Sequence, residues 1–257
     1  MRHMLSALLL LTITACSQAP ETNTLPSLED VLARHTEARG GAATIEAVQS
    51  VKVELEIVEP EFTVTGTYIA TREGHMRIDI FADGNRVFTE ALGPDGGWQM
   101  FGDGRVADLS EDGHKALVRG IAGNLFGLHE RAALGYSLEL FGEITHGGKA
   151  YYELEEIAPD GFSRRLYMDP ASYQITRDLE TSALHPDIDA TKQRKETISM
   201  DFRAGAAGEP VYADRQETRD LDTGELMQTT TITGRTINGP VDASRFKRPE
   251  GTSPADG

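Results

Sequence analysis

The spacing of apolar residues divides the chain into a short helical start and a long run of strands. Apolar residues recur at helical spacing from Leu28 to Ala38, with Ser27 placed to cap the helix and Gly40-Gly41 to end it. A second, shorter helix is predicted over 42–48. Beyond residue 50 the period changes from about 3.6 to about 2, which is typical of strands that bury one face.

Alternating apolar and polar residues predict strands through most of the remaining chain. Asp-Gly dipeptides separate several of them and Asn238-Gly239 follows the last one, as hairpin turns require. The pattern predicts a long antiparallel meander with one solvent-exposed face. The predicted strands lie over or near 51–57, 62–70, 76–80, 85–92, 97–101, 137–145, 149–157, 162–168, 173–181, 195–202, 210–218 and 226–236; the Asp-Gly pairs lie at 83–84, 95–96, 103–104 and 160–161.

The stretch from Ser110 to Gly135 interrupts this alternation. Apolar residues return there to helical spacing, and Gly120, Gly123 and Gly127 interrupt the run. We expect two short, loosely held helices that cover the apolar face of the sheet, with these glycines as candidate hinges. Whether the space beneath the helices is filled by side chains or holds a ligand is a question for the structure.

The first sixteen residues carry a targeting signal. Arg2 precedes a short apolar run, and small residues lead to Cys16, the only cysteine in the chain. This arrangement is typical of a secretory signal, and the run is shorter than the ~20 apolar residues of a membrane-spanning helix. The residues Ile13-Thr14-Ala15-Cys16 resemble the bacterial lipobox, whose cysteine is acylated after cleavage.

The domain organisation follows from this signal. We expect a signal peptide over 1–15, a lipidated Cys16 with a flexible tether over 16–26, one domain over 27–248 and a disordered tail over 249–257. Acyl chains on Cys16 would anchor the protein to a membrane of the cell envelope, facing the periplasm. Serine, rather than aspartate, follows Cys16, which favours the outer membrane in enterobacterial-type sorting.

The charge of the chain excludes one class of partner. Without residues 1–15 the chain holds 24 Lys and Arg against 41 Asp and Glu, because only Arg2 is lost, and its formal charge is −17. Nucleic-acid binding depends on clusters of Lys and Arg, so we expect no nucleic-acid partner. The same balance argues against electrostatic docking on anionic headgroups, which leaves the Cys16 lipid as the membrane anchor.

No local arrangement of residues indicates catalysis or metal binding. The seven histidines show no H-E-x-x-H or H-x-x-x-H spacing, and no G-x-S-x-G nucleophile elbow surrounds Ser163. Asp187-Ile188-Asp189 lacks the remaining ligands of a calcium-binding EF-hand loop. We therefore expect no enzyme, no metal and no cofactor, although a site assembled from distant residues stays open.

Several local patterns resemble a known family, the periplasmic lipoprotein carriers LolA and LolB with their outer-membrane lipoprotein-sorting relatives. The likeness covers most of residues 28–248 and depends on the order of the patterns, since each consists of apolar and turn positions. The patterns are the helix end at 33–41 followed by 45–51, the turn and tryptophan strand at 94–99, and the hairpin at 147–154, 166–170 and 173–175.

The resemblance implies a fold and a function. The fold would be mainly β with α, a curved antiparallel half-barrel of about eleven strands with an N-terminal helix and a short helical lid. The function would be to bind acyl chains of lipid or lipoprotein in an apolar cavity, in trafficking to the outer membrane. Tyr68, Trp98, Leu125 and Phe126 are our candidates for the cavity wall, with plain core packing as the competing explanation.

A second hypothesis also stays open at this point. The same half-barrel is similar to the N-terminal part of RseB-type regulators, which implies an envelope-stress sensor or interaction module without transported cargo. Such regulators carry a second domain, for which 257 residues leave little room. Cargo identity and oligomeric state cannot be derived from the sequence.

Overall fold

A computed structural model of the chain describes residues 25–206 and 208–249. The predicted signal peptide over 1–15, Cys16 and residues 250–257 of the predicted tail therefore lie outside the described residues. The described part contains one sheet of thirteen strands. The strands are β1 Ser50–Glu59, β2 Phe62–Thr71, β3 Met76–Ala82, β4 Asn85–Gly93, β5 Gly96–Phe101, β6 Val106–Asp108, β7 Ser137–His146, β8 Lys149–Ile157, β9 Ser163–Met168, β10 Ile175–Ser182, β11 Gln193–Ala204, β12 Val211–Asp220 and β13 Leu226–Ile237.

The sheet is an antiparallel meander that starts and finishes at its own centre. The chain runs outward from β1 to the edge strand β6, crosses to the other edge at β7, and returns strand by strand to β13, which pairs with β1. The sheet is curled and unclosed, so the predicted half-barrel fold class is confirmed. It has thirteen strands, where the sequence patterns predict twelve and the resemblance implies about eleven. The strand that the patterns miss is β6, which at three residues is too short to show a period.

Three α-helices and two 3-10 helices accompany the sheet. They are α1 Leu28–Ala38, α2 Ala42–Glu46, α3 Glu111–Leu125, and 3-10 helices over Leu128–Leu134 and Ala243–Phe246. Ser27 caps α1 as predicted: its Oγ accepts from the backbone N–H of Asp30 at 3.1 Å, and Asp30 accepts in return from the N–H of Ser27.

The covering segment differs from the pair of short helices that the sequence predicts. Its first helix, α3, is one continuous helix of fifteen residues, and only the second is short and of the 3-10 type. Gly120 and Gly123 lie within α3, whereas Gly127 precedes the 3-10 helix. The two glycines reduce helix propensity by about 1 kcal/mol each relative to alanine, but the packing of the helix outweighs that cost.

The main apolar core lies between α3 and the first strands. Val51, Met76 and Leu92 of the sheet pack in one cluster with Ile121 and Leu125 of α3. The register places the sheet residues opposite one another on the same face, since Val51 pairs with Ala70, Ala70 with Met76, and Met76 with Leu92. The alternation seen in the sequence is therefore the alternation of buried and exposed faces.

Arg72 joins the helical layer to the sheet. Its guanidinium donates to the backbone carbonyls of Val48 at 2.5 Å and of Ile45 and Leu125 at 2.9 Å, and it pairs with Glu130 at 2.7 Å. Backbone carbonyls at helix ends have no partner within the helix. One side chain therefore satisfies the ends of two helices and holds them together.

The turn dipeptides behave in two ways. Asp83 and Gly84 both have positive φ, 50° and 77°, and form the tight β3–β4 turn that the sequence predicts. Asn238 does not lie in a hairpin. Its side-chain oxygen accepts from the backbone N–H groups of Gln49 and Ser50, at 2.6 and 3.2 Å, and so ties the end of β13 to the start of β1.

Candidate ligand-binding cavity

A cavity of about 810 Å³ lies between the sheet and α3. Residues of α3, including Ala116, Gly120 and Gly123, line it from one side, and residues of strands β1, β2 and β8–β13 line it from the other. Its volume is within the ~300–1,000 Å³ that is usual for ligand pockets. The space beneath the helical cover is therefore only partly filled by side chains.

One wall of the cavity is apolar. It is formed by the central strands, where β1 pairs with β2 and β13, and by the end of α3. Such a wall favours hydrocarbon, since each Å² of apolar surface removed from water contributes ~25 cal/mol. Its residues are Val51, Val53, Leu55, Tyr68, Phe126 and Ile232.

The other wall is charged. Glu156, Arg164, Glu180 and Lys195 follow one another across strands β8, β9, β10 and β11 at directly paired positions. We call these four residues the charge ladder. Arg164 lies 2.7 Å from Glu156, and Lys195 lies 3.4 Å from Glu180. The cavity therefore has one apolar wall and one polar wall, where the sequence led us to expect an apolar cavity throughout.

Asp178 adds a titratable group beside the ladder. Burial raises the pKa of this carboxyl to about 6, against the opposing effect of the Arg164 and Lys195 charges. It lines the same cavity. Asp178 therefore keeps its proton up to a higher pH than an ordinary aspartate does.

Arg39 and Arg235 line the cavity beside Tyr212. The guanidinium carbons lie 5.1 Å and 4.5 Å from the centre of the Tyr212 ring. Arg235 pairs with Asp214 at 2.9 Å, and Arg39 donates from Nε to the backbone carbonyl of Val211 at 3.3 Å. Arg235 also donates to the backbone carbonyl of Ala213 at 3.3 Å. Both cations are therefore held in place, and among the described residues Arg39 has no carboxylate partner.

Helix α3, which forms the roof of the cavity, is joined to the sheet at several points. At its start, the backbone N–H of Ser110 donates to Asp187, in the loop after β10, at 2.5 Å. In its middle, Arg119 pairs with Asp160 and lies 4.1 Å from the ring centre of Phe162, in and beside the β8–β9 turn. α3 therefore spans the cavity between the apolar strands and the far edge of the sheet.

Tyr68 and Phe126, two of the four side chains predicted for the cavity wall, line it. Tyr68 accepts a hydrogen bond from Asn124 of α3 at 3.1 Å, and burial raises the pKa of its hydroxyl. Phe126 lies 4.3 Å from the guanidinium carbon of Arg72. The structure thus brings both residues to the end of α3.

Trp98 and Leu125 lie elsewhere and are not among the described residues that line the cavity. Leu125, 1% exposed, points from α3 into the main core. Trp98, 2% exposed, donates from its indole N–H to the carbonyl of Phe246 at 3.0 Å and so fastens the C-terminal 3-10 helix. Both belong to clusters of buried, packed residues.

The charged lining residues were not anticipated. Residues such as Arg39, Arg164 and Lys195 look like ordinary solvated positions in the sequence, since a period of 2 does not say which face is covered. The one feature of the sequence that could have indicated this charged wall is the run of opposite charges in consecutive strands. Opposite charges at cross-strand positions are informative only when the register is known.

Two further observations limit the chemistry of the described residues. No group of three His, Cys, Asp or Glu side chains in 25–206 and 208–249 is placed to hold a metal ion. In the same residues, no helix is both long enough and apolar enough to cross a bilayer.

Comparison with known proteins rests on structure alone, since no family model and no curated protein matches the chain. A domain assigned to the outer membrane lipoprotein-sorting proteins of Vibrio parahaemolyticus is 14% identical with a TM-score of 0.57, covering 85% of this chain and 96% of that one. A LolA superfamily protein of Nitrosomonas europaea is 12% identical with a TM-score of 0.56, covering 87% and 98%.

A DUF1329 family protein of Desulfovibrio piger is similar to the same extent, with 11% identity, a TM-score of 0.55, and coverage of 85% of this chain and 96% of that one. At these identities the likeness establishes the fold. The chain therefore has the LolA-like fold that its local sequence patterns predict.

Proposed function

We propose that this protein is a lipid-anchored envelope protein that binds acyl chains of lipid or lipoprotein beneath α3. The observation that carries the proposal is the 810 Å³ cavity with one continuous apolar wall. A filled core of the same fold would offer no such space, because protein interiors are normally close-packed. The LolA-like fold of the lipoprotein-sorting domain supports the same conclusion.

The two walls suit different parts of one ligand. Hydrocarbon would lie against Val53, Leu55 and Ile232, where it removes apolar surface from water. Polar parts of the ligand would lie against the charged residues of the lining. We further propose that Cys16 is acylated and holds the domain at the outer membrane, so that the cargo is delivered or received there.

The cavity can be tested by filling it. Gly120 lines the cavity, and a Cβ added there meets no atom within 4 Å, so a larger side chain has room to enter. We expect residues 17–257 to retain a co-purified lipid in native mass spectra, and Gly120→Phe to lose it. Gly120→Ala is the matched control, since it changes the same position without filling the space.

The outcomes separate the alternatives. A ligand mass that disappears on denaturation, and is absent from Gly120→Phe but present in Gly120→Ala, supports an acyl-chain carrier. A protein that is ligand-free, takes up no added fatty acid or phospholipid, and responds to neither variant would overturn the proposal.

A further inference from the structure

The charges that line the cavity have the opposite balance from the chain as a whole. The full chain holds 25 Lys and Arg against 41 Asp and Glu. Among the residues that line the cavity, nine are Lys or Arg and five are Asp or Glu. An acidic protein therefore presents a basic interior surface to whatever enters the cavity.

Most of these cations are neutralised by the protein itself. Eight of the nine lie within ion-pair distance of a carboxylate, for example Arg131 and Arg164 with Glu156 at 3.5 and 2.7 Å. Arg39 is the exception: within residues 25–206 and 208–249 it forms no ion pair, and its side chain donates only to the carbonyl of Val211.

The surroundings of Arg39 make its charge costly. Burial lowers the pKa of its guanidinium, and the nearby Arg235 charge acts in the same direction. Arg235 itself has a buried Nε without a hydrogen-bond partner. A half-buried charge without a counterion and a buried donor without an acceptor are both unfavourable, so a bound group that supplies acceptor oxygens would stabilise this site.

We propose that Arg39 and Arg235 together bind an anionic oxygen group, a carboxylate or a phosphate, at the polar end of an amphiphile whose hydrocarbon lies along the apolar wall. The inference rests on the proposed function, because it names the class of cargo. Guanidinium groups match both anions through paired N–H donors. Both arginines contact the Tyr212 ring, which keeps the two cations near one another in the absence of an anion.

The geometry also explains how two like charges tolerate each other. Asp214 pairs with Arg235 at 2.9 Å and with Arg203 at 2.8 Å, so one carboxylate is shared between two arginines. With Arg39 included, the cluster holds three arginines and this one carboxylate, so it is two negative charges short. An anion placed between Arg39 and Arg235 would supply one of these charges.

The test compares anionic and neutral ligands with the same chains. Delipidated residues 17–257 would be titrated with palmitic acid against hexadecanol, and with phosphatidic acid against diacylglycerol, by competition with an apolar fluorescent dye. We expect Arg39→Gln to weaken binding of the anionic ligands by about tenfold or more and to leave the neutral ligands within about twofold. Arg39→Lys keeps the charge but loses the paired N–H donors of the guanidinium, so its affinity for the anionic ligands should lie between those of the unmodified protein and Arg39→Gln.

The control is Arg105→Gln, an arginine that is 60% exposed and pairs with Asp103 outside the cavity lining. It should change neither class of ligand. The two pairs of ligands identify the source of the anion, since a fatty acid and a phospholipid present different headgroups. Equal loss of neutral and anionic binding in Arg39→Gln, or no preference in the unmodified protein, would overturn the inference while leaving the acyl-chain carrier intact.

A separate readout covers failure of the carrier proposal. If no acyl ligand binds at all, butyl phosphate would be titrated while the side-chain Nε–H signals of the arginines are followed by NMR. Saturable shifts at Arg39 and Arg235 would support the anion site without an acyl chain. Unchanged signals would overturn it.

Discussion

The two halves of the covered face of the sheet have opposite compositions and opposite packing. On the half formed by β1–β4, residues such as Ala70, Met76 and Leu92 meet α3 in a close-packed core, and the cavity begins at the β1 residues beside them. On the half formed by β8–β11, the charge ladder from Glu156 to Lys195 faces the cavity. The same helix covers both, so the inward-facing residues decide where the space is filled.

The difference has a simple physical origin. Complete burial of apolar side chains lowers the free energy, so the helix packs closely against them and the space is filled. Charged side chains remain favourable only while paired and partly solvated, so they resist complete burial. A half-apolar, half-charged face beneath one helix therefore leaves a cavity along the boundary between the two.

The largest expected effect comes from damaging the packed half. Leu125→Ala removes a side chain that is 1% exposed in the main core, and we expect it to lower the free energy of unfolding by about 2–5 kcal/mol. Urea denaturation followed by circular dichroism measures this loss. Val118→Ala, on the same helix but 45% exposed, should change stability by less than about 0.5 kcal/mol. Similar losses in both variants would show that the half is not packed as described.

A smaller effect is expected from Glu90, a carboxyl that lies on the inward face of the packed half. Glu90 pairs with Ile78, which in turn pairs with Tyr68, and burial with the nearby Asp187 charge raises the pKa of Glu90 to about 7. The folded state therefore holds a proton that the unfolded state releases between about pH 4.5 and 7, so stability falls as pH rises through this window.

Glu90→Gln removes that loss. We expect the variant to be more stable than the unmodified protein at pH 8, by at most about 3 kcal/mol, and the difference to shrink toward pH 5. Thermal unfolding at both pH values measures it. Glu54→Gln, at a carboxylate 57% exposed, is the control and should show little change at either pH. A difference that is independent of pH would contradict the assignment.

The smallest expected effect concerns α3 where it covers the cavity. Gly120 lies in the interior of α3 with open space around its added Cβ, so Gly120→Ala should stabilise the protein by about 0.5–1 kcal/mol through helix propensity alone. Denaturant midpoints measure the gain. Destabilisation would mean that the helix must bend at this glycine, which is the hinge role that the sequence suggested for it.

Much of the fold could be read from local patterns. The cap at Ser27, the tight turn at Asp83-Gly84 and nearly every long strand depend on neighbouring residues, and each is found where it was predicted. Strand β6 was missed because three residues carry no period. Asn238 was assigned to a hairpin because its dipeptide is typical of one, whereas its partner strand is β1, at the other end of the chain.

The candidate site was only partly predictable. Tyr68 and Phe126 line the cavity, but Trp98 and Leu125, equally apolar, lie in packed clusters. Apolar character predicts burial, and it does not distinguish a side chain with a neighbour opposite from one that faces open space. The charged wall was missed for the related reason that a strand's period does not identify which face is covered.

Local sequence thus settles the Ser27 cap, the Asp83-Gly84 turn and the alternation of the strands, because each of these depends on residues close together along the chain. Composition alone settles the acidic balance of the chain. Tertiary structure decides which strands are neighbours and therefore which charges meet. Arg39 precedes the sheet and Arg235 lies in its last strand, yet both reach Tyr212, because β13 returns to pair with β1. That closure of the meander places an unpaired cation in the cavity, and no local pattern encodes it.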